Sequence, residues 1–269
     1  MTTLERIGRS TMDSAAEAGA LTLQLWRTLL RLPRILPVVG NRRRWHAAVG
    51  QMLVIGAQAL PMAGLMSLCL GYVLALQCAA ELRRFDAVRF VVDLVAVSFT
   101  RELGALITAI AVSGRSASAI SAEVGTMMVT EEIDALRVMG LDPIEFTLAP
   151  KYLGALITVP CLTVLSTFCG VFAGYLFLAF SVEMNIRVYF HEVVESILLR
   201  DVWLTLFKSV IFATIIVQVG YLEGLRARGG PEAVGGAATA AVVKATFLVI
   251  LADVAATAVF YVMGWSAVG

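Results

Sequence analysis

The sequence predicts an all-α polytopic membrane protein, and three observations support that prediction. First, 59% of its 269 residues are hydrophobic, whereas soluble domains contain about 45–50% apolar residues. Second, residues 45–80 and 152–182 contain no Asp, Glu, Lys or Arg, and each run exceeds the roughly 20 residues that cross a bilayer as a helix. Third, short segments rich in charge separate the apolar runs, which is typical of connections outside the hydrocarbon.

The N-terminal segment, residues 1–49, differs from the rest of the chain. Its leucines recur at helical spacing while its arginines fall on other faces: Leu21, Leu25, Leu29 and Leu32 against Arg27, Arg31 and Arg34. Three more arginines, at 42–44, precede the first apolar run. We expect an interfacial amphipathic helix here, with its arginines at the anionic headgroups of the cytoplasmic side. The alternative is a solvated helix that docks on a partner.

The remainder, residues 50–265, predicts one domain of five transmembrane helices, at about 50–80, 94–118, 152–181, 202–222 and 240–263. A polar connection is expected at residues 181–201, and a basic, glycine-rich loop between the last two spans, at residues 224–236. A cytoplasmic N-terminus places 13 of the 21 Lys and Arg residues on the cytoplasmic side, five outside and three within spans. Because cytoplasmic loops carry an excess of basic residues, we expect this orientation.

Small residues indicate close helix packing. Ala105, Ala109, Ser113, Ala117 and Ser121 recur every four residues, and Gly170 and Gly174 form a GxxxG motif. Small side chains at this spacing let helix backbones approach closely within a membrane. The pattern therefore favours a tightly packed bundle.

Four charged residues fall within predicted spans: Arg101, Glu102, Lys208 and Asp253. Arg101 and Glu102 are adjacent, so on a helix they point about 100° apart and each needs a separate partner. Lys208 and Asp253 are candidates to pair with one another. Two interpretations stay open: structural ion pairs between spans, or the polar lining of a substrate cavity.

Residues 130–141 predict a short amphipathic helix between the second and third spans. Thr130 is a candidate N-cap, and Glu131 and Glu132 suit the positive end of the helix dipole. Gly140 is a candidate C-cap, and Asp142-Pro143 is expected to begin the next helix.

One face of this short helix carries Ile133, Leu136 and Met139. The spacing i, i+3, i+6 gives a continuous apolar stripe. The stripe is consistent with a helix resting on the membrane surface or with one that docks on a cytoplasmic motor.

Several classes of function are excluded or disfavoured. The chain contains no GxSxG, HExxH or GxxxxGK[ST] motif, so we expect neither an enzyme nor an ATP site of the P-loop type in it. Its cysteines and histidines lack metal-ligand spacing. The net charge of +1 gives no field that would attract nucleic acid.

The central stretch of the chain matches a known family. It reads RELGALITAIAVSGRSASAISAEVGTMMVTEEIDALRVMGLDPIEFTLAPKYL, and the likeness continues through FKSVIFA at 207–213 and LADV at 251–254. This order of motifs resembles the MlaE/YrbE permeases, the membrane subunits of Mla- and Mce-type ABC lipid transporters. The likeness covers about residues 50–265.

The resemblance implies a bacterial inner-membrane homodimer of five-span subunits that moves phospholipids and maintains outer-membrane lipid asymmetry. A cytoplasmic ATPase, which binds ATP and Mg, would dock through a coupling helix at about 130–141. A periplasmic Mce-domain partner would receive or supply lipid, and no cofactor is expected in this chain. The implied coupling residues are Glu131, Glu132, Ile133, Asp134, Leu136, Arg137, Met139 and Gly140. The implied lipid-cavity candidates are Arg101, Glu102, Tyr72, Leu76, Lys208 and Asp253.

The sequence also departs from the family pattern. Ala105 replaces the proline of RELGP, Ala117 a glycine, Glu132 a glutamine and Lys151 an arginine. Gly236 and Ala240 stand where the related pattern VGRATTRAVV has arginines. A rival hypothesis is a membrane scaffold that anchors a partner complex and transports nothing.

Overall fold

The computed structural model describes the backbone of residues 42–263, the side chains of residues 46–263, and residues 19, 22–24, 26, 28 and 30. Within this part of the chain the structure is helical and contains no β-strand. The five long helices are α1 (Arg42–Leu82), α2 (Phe90–Val129), α4 (Ile144–Val182), α6 (Leu199–Arg226) and α7 (Pro231–Val262). The two short ones are α3 (Glu132–Val138) and α5 (Ile186–Ser196).

The predicted fold class is confirmed. All five long helices contain stretches long and apolar enough to cross a membrane, so the chain is a multi-pass membrane protein. The interfacial helix predicted within residues 1–49 falls largely outside the described residues. Of its described part, the buried Gln24 side chain donates to the Gln218 backbone carbonyl at 3.2 Å and to the Gln218 side chain at 2.9 Å.

The helices extend beyond two of the predicted boundaries. The second span was expected at 94–118, yet α2 runs from Phe90 to Val129, because the polar residues past 118 continue the helix beyond the apolar part. The loop predicted at 224–236 spans only residues 227–230. Gly230 adopts φ of 111° and Pro231 takes the first helical position of α7, where its missing N–H costs no hydrogen bond.

Helix α2 contains two π-helical segments, Phe99–Leu103 and Ser113–Ala117. Such wide turns are rare and often occur at functional sites because they re-aim the side chains that follow. The first segment contains the adjacent charges Arg101 and Glu102. The second interrupts the small-residue stripe of α2.

The small-residue stripe is nevertheless buried along its whole length: Ala105, Ala109, Ser113, Ala117 and Ser121 are fully inaccessible to solvent. Its C-terminal half packs against α6 at two glycines that were not predicted. A Cβ on Gly220 would lie 3.0 Å from the Ala117 carbonyl oxygen, and one on Gly224 would lie 2.9 Å from that of Ser121. The prediction of closely packed helices is confirmed, and the partner helix is α6.

Helix α4 packs along α1 and around the first turns of α2. A Cβ on Gly71 of α1 would lie 2.2 Å from the carbonyl oxygen of Gly170, and a Cβ on Gly170 would lie 2.0 Å from the Phe99 ring. Gly170, predicted from the GxxxG motif, therefore contacts two helices at once. These contacts hold three of the five long helices together.

Helix α5 lies across the ends of α2 and α4. Its Tyr189 is buried and donates a hydrogen bond of 2.8 Å to the Val171 carbonyl of α4. Burial raises the pKa of the Tyr189 hydroxyl above its usual value. Asn185 caps the helix by accepting from the Arg187 backbone N–H at 2.9 Å.

Candidate functional site

A buried lysine joins three of the long helices. Lys208 of α6 is 2% exposed at its side chain, and its ammonium lies 2.5 Å from Glu102 of α2 and 3.0 Å from Asp253 of α7. It also donates to the Thr257 hydroxyl at 2.8 Å. The expected pairing of Lys208 with Asp253 is confirmed, and Glu102 joins the same cluster. Thr257, which follows Asp253 by one helical turn, was not predicted.

Arg101 binds elsewhere, as its 100° separation from Glu102 predicts. Its guanidinium contacts the Asp201 carboxylate through Nε at 3.0 Å and donates from Nη2 at 3.2 Å. Asp201 had been assigned to a polar connection, but it is buried in the first turn of α6. A carboxylate there accepts from free backbone N–H groups, and the Leu198 N–H lies 3.4 Å from it. The four charges predicted within spans thus form two separate ionic sites.

An apolar cavity of about 340 Å³ lies beside Asp201, between α2, α4, α5 and α6. Aromatic rings and threonines form much of its wall, among them Phe168, Phe190, Thr100, Thr167 and Thr205. Two of the threonine hydroxyls are occupied by bonds to helix carbonyls, Thr167 to Thr163 and Thr205 to Asp201. The Thr100 hydroxyl is buried and has no hydrogen-bond partner among the described residues.

A second, polar cavity of about 630 Å³ lies at the start of α2, against α5. Its wall carries charges of both signs: Arg89, Arg101, Asp93, Glu192 and Glu195. Asp93 accepts a short hydrogen bond from the Ser196 hydroxyl, which links α2 to α5. Neither cavity was anticipated, because each is formed by helices distant in sequence.

The other two lipid-cavity candidates lie apart from these features. Tyr72 and Leu76 of α1 are exposed and line neither of the two cavities described above. The Tyr72 ring meets Phe177 of α4 edge-on, with centroids 5.7 Å apart. Of the six candidates, the structure therefore joins Glu102, Lys208 and Asp253 in one cluster and places Arg101 next to it on α2.

The short helix α3 is bounded by two turns. The predicted N-cap, Thr130, is wrong: its N–H and hydroxyl both donate to Thr126, so it ends α2. The chain reverses instead at Glu131, with φ of 61°. Gly140 is confirmed as the C-terminal glycine, with φ of 73°. The Leu141 N–H donates to the Leu136 carbonyl at 2.9 Å, completing a Schellman motif.

Two further contacts fix the base of α3. The Asp142 carboxylate accepts from the Ile144 N–H at 3.0 Å and begins α4, as predicted. Lys151 of α4 is buried and lies 2.6 Å from Glu123 of α2. This ion pair joins α2 to α4, the two helices that flank α3.

The exposed surface of α3 differs from the prediction. Ile133 and Leu136 are 0% and 7% exposed, because they pack into the bundle, whereas Met139 is 64% exposed. The expected stripe is therefore not a single outward face. The exposed apolar residues at this end of the bundle are Val138, Met139, Leu141 and Phe146. Beside them lie the exposed charges Glu131, Glu132, Asp134 and Arg137, of which Arg137 bonds Asp134 at 2.7 Å.

Comparisons with known proteins agree with this architecture. The sequence model of a family described as Permease MlaE matches residues 48–259. A probable ABC transporter permease protein of Rickettsia typhi is 34% identical over 92% of this chain and 93% of its own. The intermembrane phospholipid transport system permease protein MlaE of Haemophilus influenzae is 29% identical over 97% of this chain and 98% of its own. The five-span chain, with charges paired inside its bundle, belongs to the MlaE permease family.

Proposed function

We propose that this chain is the membrane subunit of an ABC transporter that moves phospholipids between the inner membrane and a periplasmic Mce-type lipid-binding partner. A separate cytoplasmic ATPase, which binds ATP and Mg, drives the movement. The observation that carries the proposal is a pair of features in one bundle. Charges are buried inside its spanning helices, and a short helix, α3, lies at one end of the bundle between α2 and α4, which an ion pair joins.

The short helix α3 is proposed as the coupling helix. Its inner residues Ile133 and Leu136 are buried in the bundle, while Val138 and Met139 face outward. Exposed apolar side chains rimmed by charges are typical of protein interaction sites. The Glu123–Lys151 ion pair joins α2 to α4, which flank α3 in the chain. A displacement of α3 by the ATPase would therefore move both spanning helices together.

The lipid path is proposed to run beside the Glu102–Lys208–Asp253 cluster. Ionisable residues within spans are costly and mark substrate pathways or structural pairs. Glu102 is 38% exposed at its side chain although its partner Lys208 is buried. The Glu102 carboxylate is therefore accessible at the surface of the bundle, while the Lys208 ammonium is buried inside it.

A homodimer is proposed through α7. Of the five spanning helices, α7 is the least buried by the rest of the chain: only 11% of its most apolar stretch is buried. Large apolar residues along it are exposed, including Phe247, Leu251 and Val254. A second copy against α7 would bring two clusters containing Asp253 close to one shared cavity.

The orientation proposed is a cytoplasmic N-terminus in a bacterial inner membrane. The eight arginines within residues 1–44, before the first apolar run, support it. This places α3 on the cytoplasmic side, with the ATPase, and α5 on the periplasmic side, with the Mce-type partner.

Co-purification tests the proposed function. The tagged chain should be extracted from its own membrane in mild detergent, and the extract analysed for protein partners and phospholipid. We expect an ATPase subunit with a P-loop and bound phospholipid in the same particle. An extract that holds neither contradicts the transporter, and one that holds protein partners without lipid supports the non-transporting scaffold.

A further inference from the structure

The polar cavity beside α5 carries a mixed set of charges. Two cations, Arg89 and Arg101, and three carboxylates, Asp93, Glu192 and Glu195, line it. Arg101 is largely neutralised by Asp201 at 3.0 Å. One Glu192 oxygen is buried without a hydrogen-bond partner among the described residues. Such a wall complements a ligand that has both an anionic and a cationic group, and it repels one that is only anionic.

The apolar cavity lies deeper in the bundle than the polar one. At the start of α6, Leu198 lines the polar cavity, and Thr205 lines the apolar one, about 10 Å further along the helix at 1.5 Å per residue. On α2, the polar cavity extends from Phe90 to Arg101 and Thr100 lines the apolar one, so the two cavities meet at this level. On α5, Glu192 and Ser196 line the polar cavity while their neighbours Val193 and Ile197 line the apolar one. The two cavities are thus neighbours that both use α2, α5 and α6, and the apolar one reaches further along α6.

A buried hydroxyl lies at the level where the cavities meet. Thr100 is 4% exposed and its hydroxyl has no partner among the described residues. An unpaired buried hydroxyl is unfavourable unless a ligand or water completes it. The ester carbonyls of a glycerolipid lie between headgroup and acyl chains, so a lipid held in both cavities would offer an acceptor at this depth.

From these observations we propose that the paired cavities form a binding site for one zwitterionic phospholipid with a primary ammonium, namely phosphatidylethanolamine. Its phosphate lies near Arg89, its ammonium near Glu192 and Glu195, an ester carbonyl near Thr100, and one acyl chain in the apolar cavity. The site is enclosed by a single subunit and is separate from the Lys208 cluster. The proposal rests on the proposed function, because it takes phospholipid to be what the chain handles.

Headgroup choice is tested with the purified full-length chain. The protein is equilibrated with mixed detergent micelles that contain equal amounts of phosphatidylethanolamine and phosphatidylglycerol, and bound lipid is identified by native mass spectrometry. We expect phosphatidylethanolamine to be enriched about tenfold, the value of one charge-assisted hydrogen bond. Glu192→Gln with Glu195→Gln should return the ratio to that of the micelles. The control pair Glu81→Gln and Glu183→Gln, carboxylates at the same end of the bundle, should keep the enrichment.

Acyl-chain binding is tested by filling the apolar cavity. Val164 of α4 lines the cavity and is partly open to the surroundings, so Val164→Trp should reduce the amount of tightly bound lipid severalfold. Leu165→Trp adds the same ring at the next, exposed position, which is not part of the cavity wall, and should leave bound lipid unchanged. Thr100→Val, which exchanges the hydroxyl for a methyl group of similar size, should weaken retention without lowering the thermal stability of the lipid-free protein.

Two outcomes would overturn the site: a bound-lipid ratio equal to that of the micelles in the unmodified chain, or equal lipid retention by Val164→Trp and Leu165→Trp. ATP-driven lipid transfer by the complete complex is measured separately. If both headgroups are transferred but neither is enriched on the chain, this site is wrong and the transporter stands. If phosphatidylethanolamine is enriched but nothing is transferred, the site stands and the proposed function fails.

Discussion

The ammonium of Lys208 lies 2.5 Å from Glu102 and so joins α6 to α2 inside the spanning bundle. The same ammonium holds Asp253 of α7 at 3.0 Å. Two carboxylates from different helices therefore depend on one buried cation. The cluster thus joins α2, α6 and α7, and its Glu102 side chain remains 38% exposed.

Lys208→Met should destabilise the protein, because it leaves two carboxylates facing one another without a cation. Removing one partner of a buried ion pair typically costs about 3–5 kcal/mol. We expect a lower midpoint in a thermal unfolding scan of the detergent-solubilised protein. Adding Asp253→Asn, which removes one of the two stranded charges, should restore part of the loss. An unchanged midpoint for Lys208→Met would show that the cluster does not hold the helices together.

The two faces of α3 should respond differently to a charge. Leu136→Asp places a carboxylate among buried groups, which loses about 1.5–3 kcal/mol of apolar burial and adds the cost of an unpaired charge; it should lower thermal stability. Val138→Asp changes a residue that is 89% exposed, so the permease should stay stable while capture of the ATPase falls. Pull-down and thermal unfolding of both variants measure this. Equal ATPase capture by Val138→Asp and the unmodified chain contradicts the docking face.

A side chain at Gly71 should destabilise the protein, because Gly71 packs directly against the backbone of Gly170. Gly71→Ala would place its Cβ 2.2 Å from a backbone oxygen of α4, and overpacking of this kind typically costs about 1–3 kcal/mol. Gly64→Ala is the matched control on α1, since its nearest neighbour, the Cys169 sulfur, is 4.0 Å away. We expect Gly64→Ala to be neutral or slightly stabilising. Similar unfolding midpoints for the two variants would indicate that α1 and α4 are less closely packed.

Tyr189 should make stability depend on alkaline pH. Burial raises its pKa in the folded state, so its contribution is complete below the unfolded value of about 10 and is lost as pH rises further. The unfolding midpoint of the unmodified chain should therefore fall more steeply above pH 10 than that of Tyr189→Phe, which has no proton to lose. Parallel pH profiles for the two proteins would show that the hydroxyl ionises freely in the folded state.

Much of the architecture was accessible from local sequence. Apolar run length predicted the five spans, and the spacing of Ala105 to Ser121 predicted a buried face. Because burying an unpaired ion is costly, Lys208 and Asp253 were predicted to pair. Because glycine readily adopts positive φ, Gly140 was predicted to end the short helix. Each of these follows from short-range chemistry that the sequence displays directly.

The features that were missed depend on contacts between distant segments. Asp201 looked like part of a polar loop because its partner, Arg101, lies 100 residues away. The outward direction of α3 could not be read from its apolar spacing, since Met139 continues the stripe of Ile133 and Leu136 beyond the helix end at Val138. The two cavities are formed by four helices, α2, α4, α5 and α6, and no single segment of the sequence encodes them.

The most direct test of phospholipid transport by this chain is a measurement of ATP-driven lipid transfer. The chain, its ATPase and its periplasmic partner are reconstituted together in vesicles that contain labelled phospholipid, and movement of label between the vesicles and the soluble lipid-binding domain is followed with and without ATP. We expect ATP-dependent movement of label that Val138→Asp abolishes while bound lipid remains, because this change breaks the contact with the ATPase and leaves the lipid path intact. Bound ATPase and normal ATP hydrolysis with no movement of lipid in either direction would contradict it.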